Sequence, residues 1–571
     1  MAITGEAQIG APESAHTSGV AYRLPSSSTL ILLGLGGFLI VFAVAPLLLM
    51  LWRSLLDHNG NFVGLTNYAV FLSQPAAGDV IANTLFVAVV STVITVLIGM
   101  MFALALSHTC VRFKTFFRSV ALLPLLTPSL LSAMALTQLF GSQGYLNDLM
   151  MGQTIYGPIG IITGMSIAHF PHVFIIMSAS IAVSDVRLYE AARALSAKPL
   201  RVFLTVTLPS MKYGIVSASI ASFTLCLTDF GIPKVIGGQY SMLATEIYKQ
   251  VVGQQNFQIG SVISILLLAP AALAFVIDRR VRRRQAAALT SKSVPFAPTP
   301  HPLKDRLALA LCISVTIVML AMILVPGYAS FIKFWPYNLE LTLRNYEFHR
   351  FAGGGWSSYI NSLKLALLTA TIGSAMVFAG AYLAEKSRSP SWLRNIYQML
   401  GMFPLAVPGL VLGLSYVFFL NDPKNPLEVL YGTMTVLVIS TIVHYYTVSH
   451  LTAVTALRQL DNEFELVSDS LKVSRLRTFL KVTLPLCLPA VLDIWIYLFL
   501  SGMTTVSAAV FLYSHNNVVA SITVINMDDA GEYAAASAMA MVIVATCVAA
   551  RCLHLLATRG LARRAQSWKA R

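Results

Sequence analysis

Residues 81–107 read IANTLFVAVVSTVITVLIGMMFALALS, a stretch of 27 residues that contains no charged side chain. A buried helix in the core of a soluble protein accounts for about 10–14 consecutive apolar residues, whereas about 20 are needed to cross a bilayer. At about 1.5 Å per residue, a helix of this length exceeds the hydrocarbon thickness of roughly 30 Å. The stretch therefore predicts a membrane-spanning helix.

Eleven further stretches have the same character, so we predict that the chain crosses the membrane twelve times. Several of them contain proline, and we expect packed neighbouring helices to tolerate the resulting kinks. The twelve predicted spans lie near residues 30–52, 81–107, 116–140, 159–183, 210–232, 259–277, 307–328, 359–384, 394–420, 432–455, 486–513 and 532–556.

The composition of the whole chain agrees with a lipid environment. Of 571 residues, 56% are apolar and only 11% are charged, compared with about 25% charged in soluble domains. The net charge of +15 is assigned to basic residues that flank membrane spans, so no nucleic-acid partner is expected. The six cysteines include no CxxC pair, and they predict neither a disulfide framework nor a metal site.

The distribution of lysine and arginine predicts the orientation. With the N-terminus inside, the cytoplasmic segments hold 29 of these residues and the external loops hold 7. Cytoplasmic loops of membrane proteins carry the excess of positive charge. Both termini of this multi-pass protein are therefore predicted to be cytoplasmic.

A basic run, RRVRRRQ from Arg279, is followed by the stretch SKSVPFAPTPHPLK, which reads as a linker. It divides the chain into two halves of six spans. The predicted domains are a disordered cytoplasmic tail (1–29), a first six-span domain (30–278), a basic and Ser/Pro-rich cytoplasmic linker (279–306), a second six-span domain (307–556) and a basic cytoplasmic tail (557–571).

Short signatures recur in the two halves, in the same order and at offsets of 275 to 280 residues. Because each half has an even number of spans, the halves are predicted to be parallel repeats, which commonly place a translocation path at their interface. The matched pairs are LTNYAVFL at Leu65 with LRNYEFHR at Leu343, NTLFVAVVST at Asn83 with NSLKLALLTA at Asn361, LPLLTP at Leu123 with FPLAVP at Phe403, AHFPHV at Ala168 with VHYYTV at Val443, and FLTVTLP at Phe203 with FLKVTLP at Phe479.

The loop after the fourth predicted span reads EAARALSAKPLRVFLTVTLP, from Glu190 to Pro209. It resembles the EAA motif of bacterial ABC-importer permeases, with Ser196 in place of the motif's glycine. We call it the first EAA loop. Residues 186–195 favour an amphipathic helix, and Pro199 suits the first turn of a second one. The matched motif residues that the resemblance assigns to ATPase coupling include Glu190, Ala191, Ala192, Ser196, Leu208 and Pro209.

A second EAA loop ends at Pro485 and is degraded. Aligned from its end, it places Leu466, Val467 and Ser468 at the Glu-Ala-Ala positions and Lys472 at the glycine position, with Glu465 one place early. Whether Glu465 replaces Glu190 is open, and unequal contacts with two ATPase copies are expected. The coupling residues predicted in this loop are Glu465, Ser468, Leu484 and Pro485.

The resemblance implies an all-α membrane protein of the MetI-like, type I importer kind, with twelve transmembrane helices in two parallel six-helix repeats. It also implies two ABC ATPase subunits and a periplasmic substrate-binding protein as partners, in a bacterial inner membrane. The chain has no Gly-x-x-x-x-Gly-Lys-Ser/Thr sequence to cradle phosphates. We therefore expect no enzymatic activity and no bound cofactor, and ATP and magnesium would be used by the ATPase.

The substrate is suggested only by resemblance. The stretch from Leu227 to Gly260 looks most like permeases assigned to 2-aminoethylphosphonate import, and its Asp-Phe-Gly-x-Pro segment also resembles ferric-iron permeases, which are the alternative. A secondary transporter with six plus six spans is disfavoured, because residues 107–118 carry no GxxxDRxGRR-like loop. No nucleophile, HExxH or paired-carboxylate arrangement indicates a membrane-embedded enzyme.

Polar side chains at membrane depth are costly and therefore suggest a path for the solute. His169 and His172 are spaced to bind a metal ion, although a helix–helix hydrogen bond is the simpler interpretation. Asp229 suits a substrate ammonium group, a helix cap or an ion pair with Lys234. The predicted path residues are His169, His172, Thr228, Asp229, His444, Tyr445, Thr504 and Thr505, with His444 taken as the counterpart of His169.

Overall fold

The structure is a computed structural model that describes residues 27–182, 185–288, 298–351, 354–387, 389–461 and 463–566. Within these residues, eight helices are long and apolar enough to cross a membrane, and four bent pairs raise the number to twelve if each pair is one span. We number these segments 1 to 12 in chain order. They correspond in order to the twelve predicted spans.

The unbroken segments are 1 (Ser27–Arg53), 2 (Pro75–His108), 4 (Pro158–Ala182), 5 (Pro199–Thr228), 6 (Phe257–Val281, within the helix Phe257–Ala288), 7 (Pro302–Ala329), 8 (Gly355–Lys386) and 12 (Tyr533–Gly560, within Tyr533–Gln566). The bent segments are 3 (Lys114–Leu126 and Ser129–Phe140), 9 (Ser391–Ala406 and Gly409–Leu420), 10 (Met434–His444 and Tyr446–Arg458) and 11 (Arg475–Leu486 and Leu488–Thr504).

Short elements connect the segments, and they include a two-stranded antiparallel sheet. The strands are Ile332–Phe334 and Asn338–Leu341. The short helices, including single 3₁₀ turns, are Thr66–Leu72, Asn147–Met150, Val186–Ala194, Gly231–Ile236, Leu243–Tyr248, Arg344–Tyr346, Phe348–Arg350, Glu428–Leu430, Glu463–Ser470, His515–Asn517 and Ala520–Asp529.

Segments 3 and 9 are folded back far more sharply than a proline kink, by 102° and 109°. Each bend lies immediately before a proline, Pro128 or Pro408, and the preceding residue, Thr127 or Val407, has an extended backbone. A residue before proline is driven out of the helical region by the proline ring. Two predicted straight spans are therefore bent at equivalent points of the two halves.

Several helix ends differ from the predicted ones. The sixth helix continues through the basic run to Ala288, so the start of the predicted linker is helical. The last helix likewise continues to Gln566 within the predicted tail. Segment 11 ends at Thr504, because Thr505 is extended and turns follow, so the predicted span 486–513 is too long. The predicted N-terminal tail up to residue 26, linker residues 289–297 and tail residues 567–571 lie outside the described residues.

The first segment of each half packs on the other half. Segment 1 contacts segments 8 and 9, and segment 7 contacts segments 2 and 3. The Tyr416 hydroxyl in segment 9 donates to the carbonyl oxygen of Phe42 in segment 1 at 2.6 Å. Arg53, at the end of segment 1, lies 3.2 Å from Asp422. The two halves are thus interlocked around a shared interface.

One repeated signature holds the turn after segments 1 and 7. The side-chain nitrogen of Asn67 donates to two carbonyl oxygens, each at 2.8 Å, and Asn345 makes the same two bonds at 3.0 and 2.7 Å. Buried carbonyl groups need such partners where helical bonding ends. The acceptors are Ser54 and Leu56 in the first half and Ser330 and Ile332 in the second.

A second repeated signature holds the start of a short helix. The Thr84 hydroxyl accepts a hydrogen bond from the backbone N–H of Leu243 at 2.8 Å, and the Ser362 hydroxyl accepts one from Ala520 at 2.8 Å. Each acceptor satisfies an N–H group at a helix N-terminus that has no partner within its own helix. The matched sequences at Asn83 and Asn361 therefore mark structurally equivalent positions.

Candidate functional site

The first EAA loop is a helix–turn–helix. The helix Val186–Ala194 is capped by Asp185, whose carboxylate accepts from the N–H of Arg187 at 3.0 Å. A second helix begins at Pro199, as expected from the sequence, and continues through Phe203–Thr207 into the rest of segment 5. One helix of 30 residues, Pro199–Thr228, therefore joins this loop to the middle of the protein.

The predicted coupling residues of this loop differ in exposure. Glu190, Ala191, Ser196 and Pro209 are exposed. Ala192 is buried against the rest of the protein, and Leu208 is half-buried. The exposed members form a surface available to a partner, whereas Ala192 fixes the loop in place.

The second EAA loop has the same architecture. Its helices are Glu463–Ser470 and Arg475–Thr478, and the second continues through Phe479–Thr483 to the break at Cys487. Ser468 and Leu484 are half-buried, and Pro485 is exposed. The Ser468 and Thr478 hydroxyls are hydrogen-bonded to each other across the two helices.

The turns of the two loops superpose in sequence at an offset of 276. Ser196 and Lys472 have left-handed backbones, with φ of 53° and 56°. The N–H of the next residue bonds to the carbonyl oxygen five residues back, which is a Schellman turn. This geometry explains why the family motif carries glycine there, because an L-residue is strained in the left-handed region.

We expect Ser196→Gly and Lys472→Gly each to stabilise the protein by about 0.5–1 kcal/mol, since the relieved strain exceeds the extra chain entropy of glycine. The midpoint of thermal unfolding in detergent would rise. Ala194→Gly, in a right-handed helical position of the same loop, is the matched control and should lower it. A lower midpoint for both turn variants would contradict this account.

Glu465 does not occupy the place of Glu190. It points inward, where its Oε2 lies 3.6 Å from the Nζ of Lys386 at the end of segment 8. The residue equivalent to Glu190 is Leu466, which is 63% exposed. The two loops therefore present different chemistry at this position.

A cavity of about 890 Å³ lies between the halves and includes residues of segments 3, 4, 5, 10, 11 and 12. Its lining extends to Ser119 and Leu555, near the helix ends on the side of the EAA loops. Beyond the other end, Ile232 and Val510 are packed and buried. The polar residues that line it include His169, His172, Tyr445, Asp493, Tyr497, Ser501, Thr504 and Arg551.

Four of the eight predicted path residues line this cavity: His169, His172, Tyr445 and Thr504. Thr228, Asp229, His444 and Thr505 lie outside its lining. Thr228 is bonded to the carbonyl oxygen of Thr224, and Thr505 is buried.

Asp229 links two elements behind the cavity wall. Its Oδ1 accepts the N–H of Ile232 at 3.0 Å, which caps the helix Gly231–Ile236. Its Oδ2 lies 3.4 Å from Nε2 of His169. The helix-cap interpretation is therefore confirmed, whereas the pairing with Lys234 is wrong, because Lys234 lies 3.0 Å from Asp529.

The counterpart of His169 is Tyr445 rather than His444. Segments 4 and 10 begin at Pro158 and Met434, an offset of 276, which maps residue 169 to residue 445. Tyr445 lies beside Thr505, which is the equivalent of Asp229 at the same offset. A charged contact in the first half is thus replaced by a neutral one in the second.

The metal-binding interpretation of the histidine pair finds no further ligands. The rings of His169 and His172 are 6.4 Å apart. Among the described residues, no group of three or more His, Cys, Asp or Glu side chains is arranged to hold a metal ion.

A charged group in the cavity wall was not among the predicted path residues. Nε2 of His554 lies 3.3 Å from Oδ1 of Asp493, and its Nδ1 lies 3.2 Å from Nη1 of Arg551. Asp493 was expected to pair with a neighbour, and its partner proves to lie 61 residues away in segment 12. Helix packing, and no local pattern, brings these three residues together.

At the closed end, the two halves are joined by charge. The Lys234–Asp529 pair connects them, and the neighbouring Asp528 is buried. Burial, together with the negative charge of Asp529, raises the pKa of Asp528 to about 7, while Lys234 opposes the shift. The packed arrangement therefore binds this proton more tightly than an exposed carboxyl would.

Closure of this end is expected to weaken as the pH rises from 3.8 to about 7 and to change little above that. The loss is at most about tenfold per pH unit. The distance between spin labels at the exposed positions Gln239 and Glu532 would report it. Asp528→Asn should remove this pH dependence, and an unchanged profile in that variant would contradict the assignment.

The chain has recognisable relatives. Residues 95–286 and 376–563 each match the family of binding-protein-dependent transport system inner membrane components. Over 492 residues it is 27% identical to the ferric transport system permease protein FbpB of Actinobacillus pleuropneumoniae, covering 84% of this chain and 71% of the relative.

Two further relatives place the same unit among other transport systems. A putative ferric transport system permease protein, FbpB 1 of Haemophilus influenzae, is 28% identical and covers 77% of this chain and 71% of its own. The spermidine/putrescine permease protein PotB of that organism is 28% identical over 42% of this chain and 90% of its own. With two copies of the family's domain in one chain, this protein belongs to the inner-membrane permease components of binding-protein-dependent ABC importers.

Proposed function

We propose that this permease forms the whole membrane path of an ATP-driven importer, with two ATPase subunits on its EAA loops and a periplasmic receptor at its opposite end. The observation that carries the proposal is the continuous helix Pro199–Thr228, which runs from the first EAA loop to the cavity wall. Movement of that loop is delivered directly to the interface between the halves. Segment 11 makes the corresponding connection, with a bend at Cys487.

In the proposed cycle, the present arrangement is the one closed at the Lys234–Asp529 end. Closure of the ATPase subunits, which bind ATP and magnesium, pushes on both EAA loops. The halves then separate at the closed end, accept the solute from the receptor, and return after hydrolysis. The excess of basic residues in the loops on the EAA side supports an inner-membrane orientation with both termini in the cytoplasm.

We propose 2-aminoethylphosphonate as the solute. The cavity wall offers a guanidinium group, Arg551, and a carboxylate, Asp493, whose side chain is 56% exposed. Arginine suits the tetrahedral oxygens of a phosphonate, and a carboxylate suits an ammonium group. Ferric iron is the second candidate, favoured by the names of the full-length relatives.

The decisive experiment is uptake into proteoliposomes that contain this chain and the ATPase encoded beside it, with the neighbouring receptor added outside. Labelled 2-aminoethylphosphonate and ferric ion are offered in parallel. ATP-dependent uptake of the phosphonate alone would support the full proposal. Uptake of iron alone would overturn the solute, and uptake driven by a proton gradient without the ATPase would overturn the ATP-driven mechanism.

A further inference from the structure

The second EAA loop is tied to segment 8 by ionic contacts. At the centre, Lys386 and Glu465 lie 3.6 Å apart, with side chains only 6% and 14% exposed. The Lys386 ammonium also donates to the carbonyl oxygen of Leu460 at 3.1 Å. A charged pair this well buried requires close geometry and further hydrogen bonds to offset its desolvation. Its geometry is therefore sensitive to movement of either element.

Neighbouring charges extend the contact on both sides. Arg475 donates to the carbonyl oxygen of Lys386 at 3.0 Å and lies 3.1 Å from Asp469, so it bridges the helix Glu463–Ser470, the helix that follows and segment 8. On the other side, Arg458 makes two bonds to the carboxylate of Glu385, at 2.9 and 3.2 Å. The contact therefore joins segment 8, the end of segment 10 and both helices of the loop.

The first half is built differently at the same positions. The equivalents of Lys386 and Glu465 are His108 and Tyr189, whose rings pack with centroids 5.4 Å apart. Other charged members of the second-half group are matched by small, uncharged or oppositely charged residues. These equivalents are Ser107 for Glu385, Ala182 for Arg458, Arg193 for Asp469 and Pro199 for Arg475.

We infer that Lys386 and Glu465 are positioning residues that lock the second EAA loop to segment 8, so that the two move as one body. The inference rests on the proposed function, because it assigns a coupling role within that mechanism. An aromatic contact tolerates sliding more readily than a buried ion pair does, because it lacks fixed charges that must stay matched. The first loop thus adapts to its ATPase, whereas the second loop transmits displacement to segment 8 without slack.

The first test exchanges the charges. In proteoliposomes with ATPase and receptor, Lys386→Glu and Glu465→Lys are each expected to reduce solute imported per ATP hydrolysed by about tenfold or more. The double exchange should restore that ratio to within about twofold, because the pair is re-formed in the opposite sense. The matched control is Lys333→Glu, which breaks the exposed Lys333–Glu340 pair and should leave the ratio unchanged.

The second test does not depend on transport. In the purified chain, Glu465→Gln should accelerate amide hydrogen exchange in Glu463–Ser470 by about tenfold, with Val186–Ala194 unchanged. Single variants that import as well as the parent, or a double exchange no better than either, would overturn the inference. Equal exchange rates in the parent and Glu465→Gln would also overturn it. Absence of ATP-driven uptake by the parent would instead remove the proposed function and leave the lock to be judged by exchange.

Discussion

Replacing Glu190 by arginine is expected to reduce ATP-driven uptake at least about thirtyfold, which is the effect of losing a hot-spot contact of about 2 kcal/mol. Glu190 is exposed on the helix Val186–Ala194, beside Ala191, whose small side chain permits close approach of a partner. A cation at this point places the wrong charge in the proposed ATPase contact. The measurement is uptake of labelled solute together with co-purification of the ATPase.

The matched control for this substitution is Glu340→Arg, the same charge reversal at a side chain that is 71% exposed in the small sheet, distant in the fold from either EAA loop. It should leave both uptake and ATPase binding at the parental level. Membrane insertion of Glu190→Arg should also be unchanged, since the side chain is exposed and lies outside the spans. Undiminished uptake by Glu190→Arg would refute the docking role of the first EAA loop.

The features that sequence predicts well here are those with a local physical cause. Apolar length predicts the segments, and Pro199 predicts a helix start that the structure contains. The alignment of Lys472 with Ser196 also holds, because a Schellman turn requires one left-handed residue at a fixed place. Each of these properties is decided within about one helix of sequence.

Features that depend on packing were not predictable in the same way. Pro128 announces a kink, but the 102° bend depends on what the helix meets after it. The match of His169 with His444 was one residue out, because similar letters adjoin a helix whose true register is set by its ends. The partners Lys234 and Asp529 lie in different halves, so nothing local connects them.

The swap of each half's first segment onto the other half also has no signature in one sequence. Segment 1 is apolar around its circumference, so its composition does not reveal which helices it meets. The bond from Tyr416 to Phe42 joins residues 374 positions apart. Such contacts emerge from the assembled bundle, where small residues and polar groups decide which helices pack.

Replacing Asp229 by alanine is expected to cost about 2–4 kcal/mol of stability, because it removes a helix cap and leaves buried His169 without its carboxylate neighbour. Asp229→Asn retains an oxygen for the N–H of Ile232, so it should preserve the cap and lose only the charge. The difference between the two variants in thermal unfolding should therefore be about 1 kcal/mol. Uptake should fall in both, since His169 lines the cavity.

The second half supplies the matched control. Thr505 is the equivalent of Asp229 and carries no charge, so Thr505→Ala should cost less stability than Asp229→Ala by more than about 1 kcal/mol. Equal unfolding midpoints for Asp229→Ala and Asp229→Asn would show that the cap contributes nothing. Equal losses for Asp229→Ala and Thr505→Ala would mean that the charge beside His169 has no energetic role. If both differences are found, the one ionised contact behind the cavity wall belongs to the first half, on the helix that also carries the intact EAA loop.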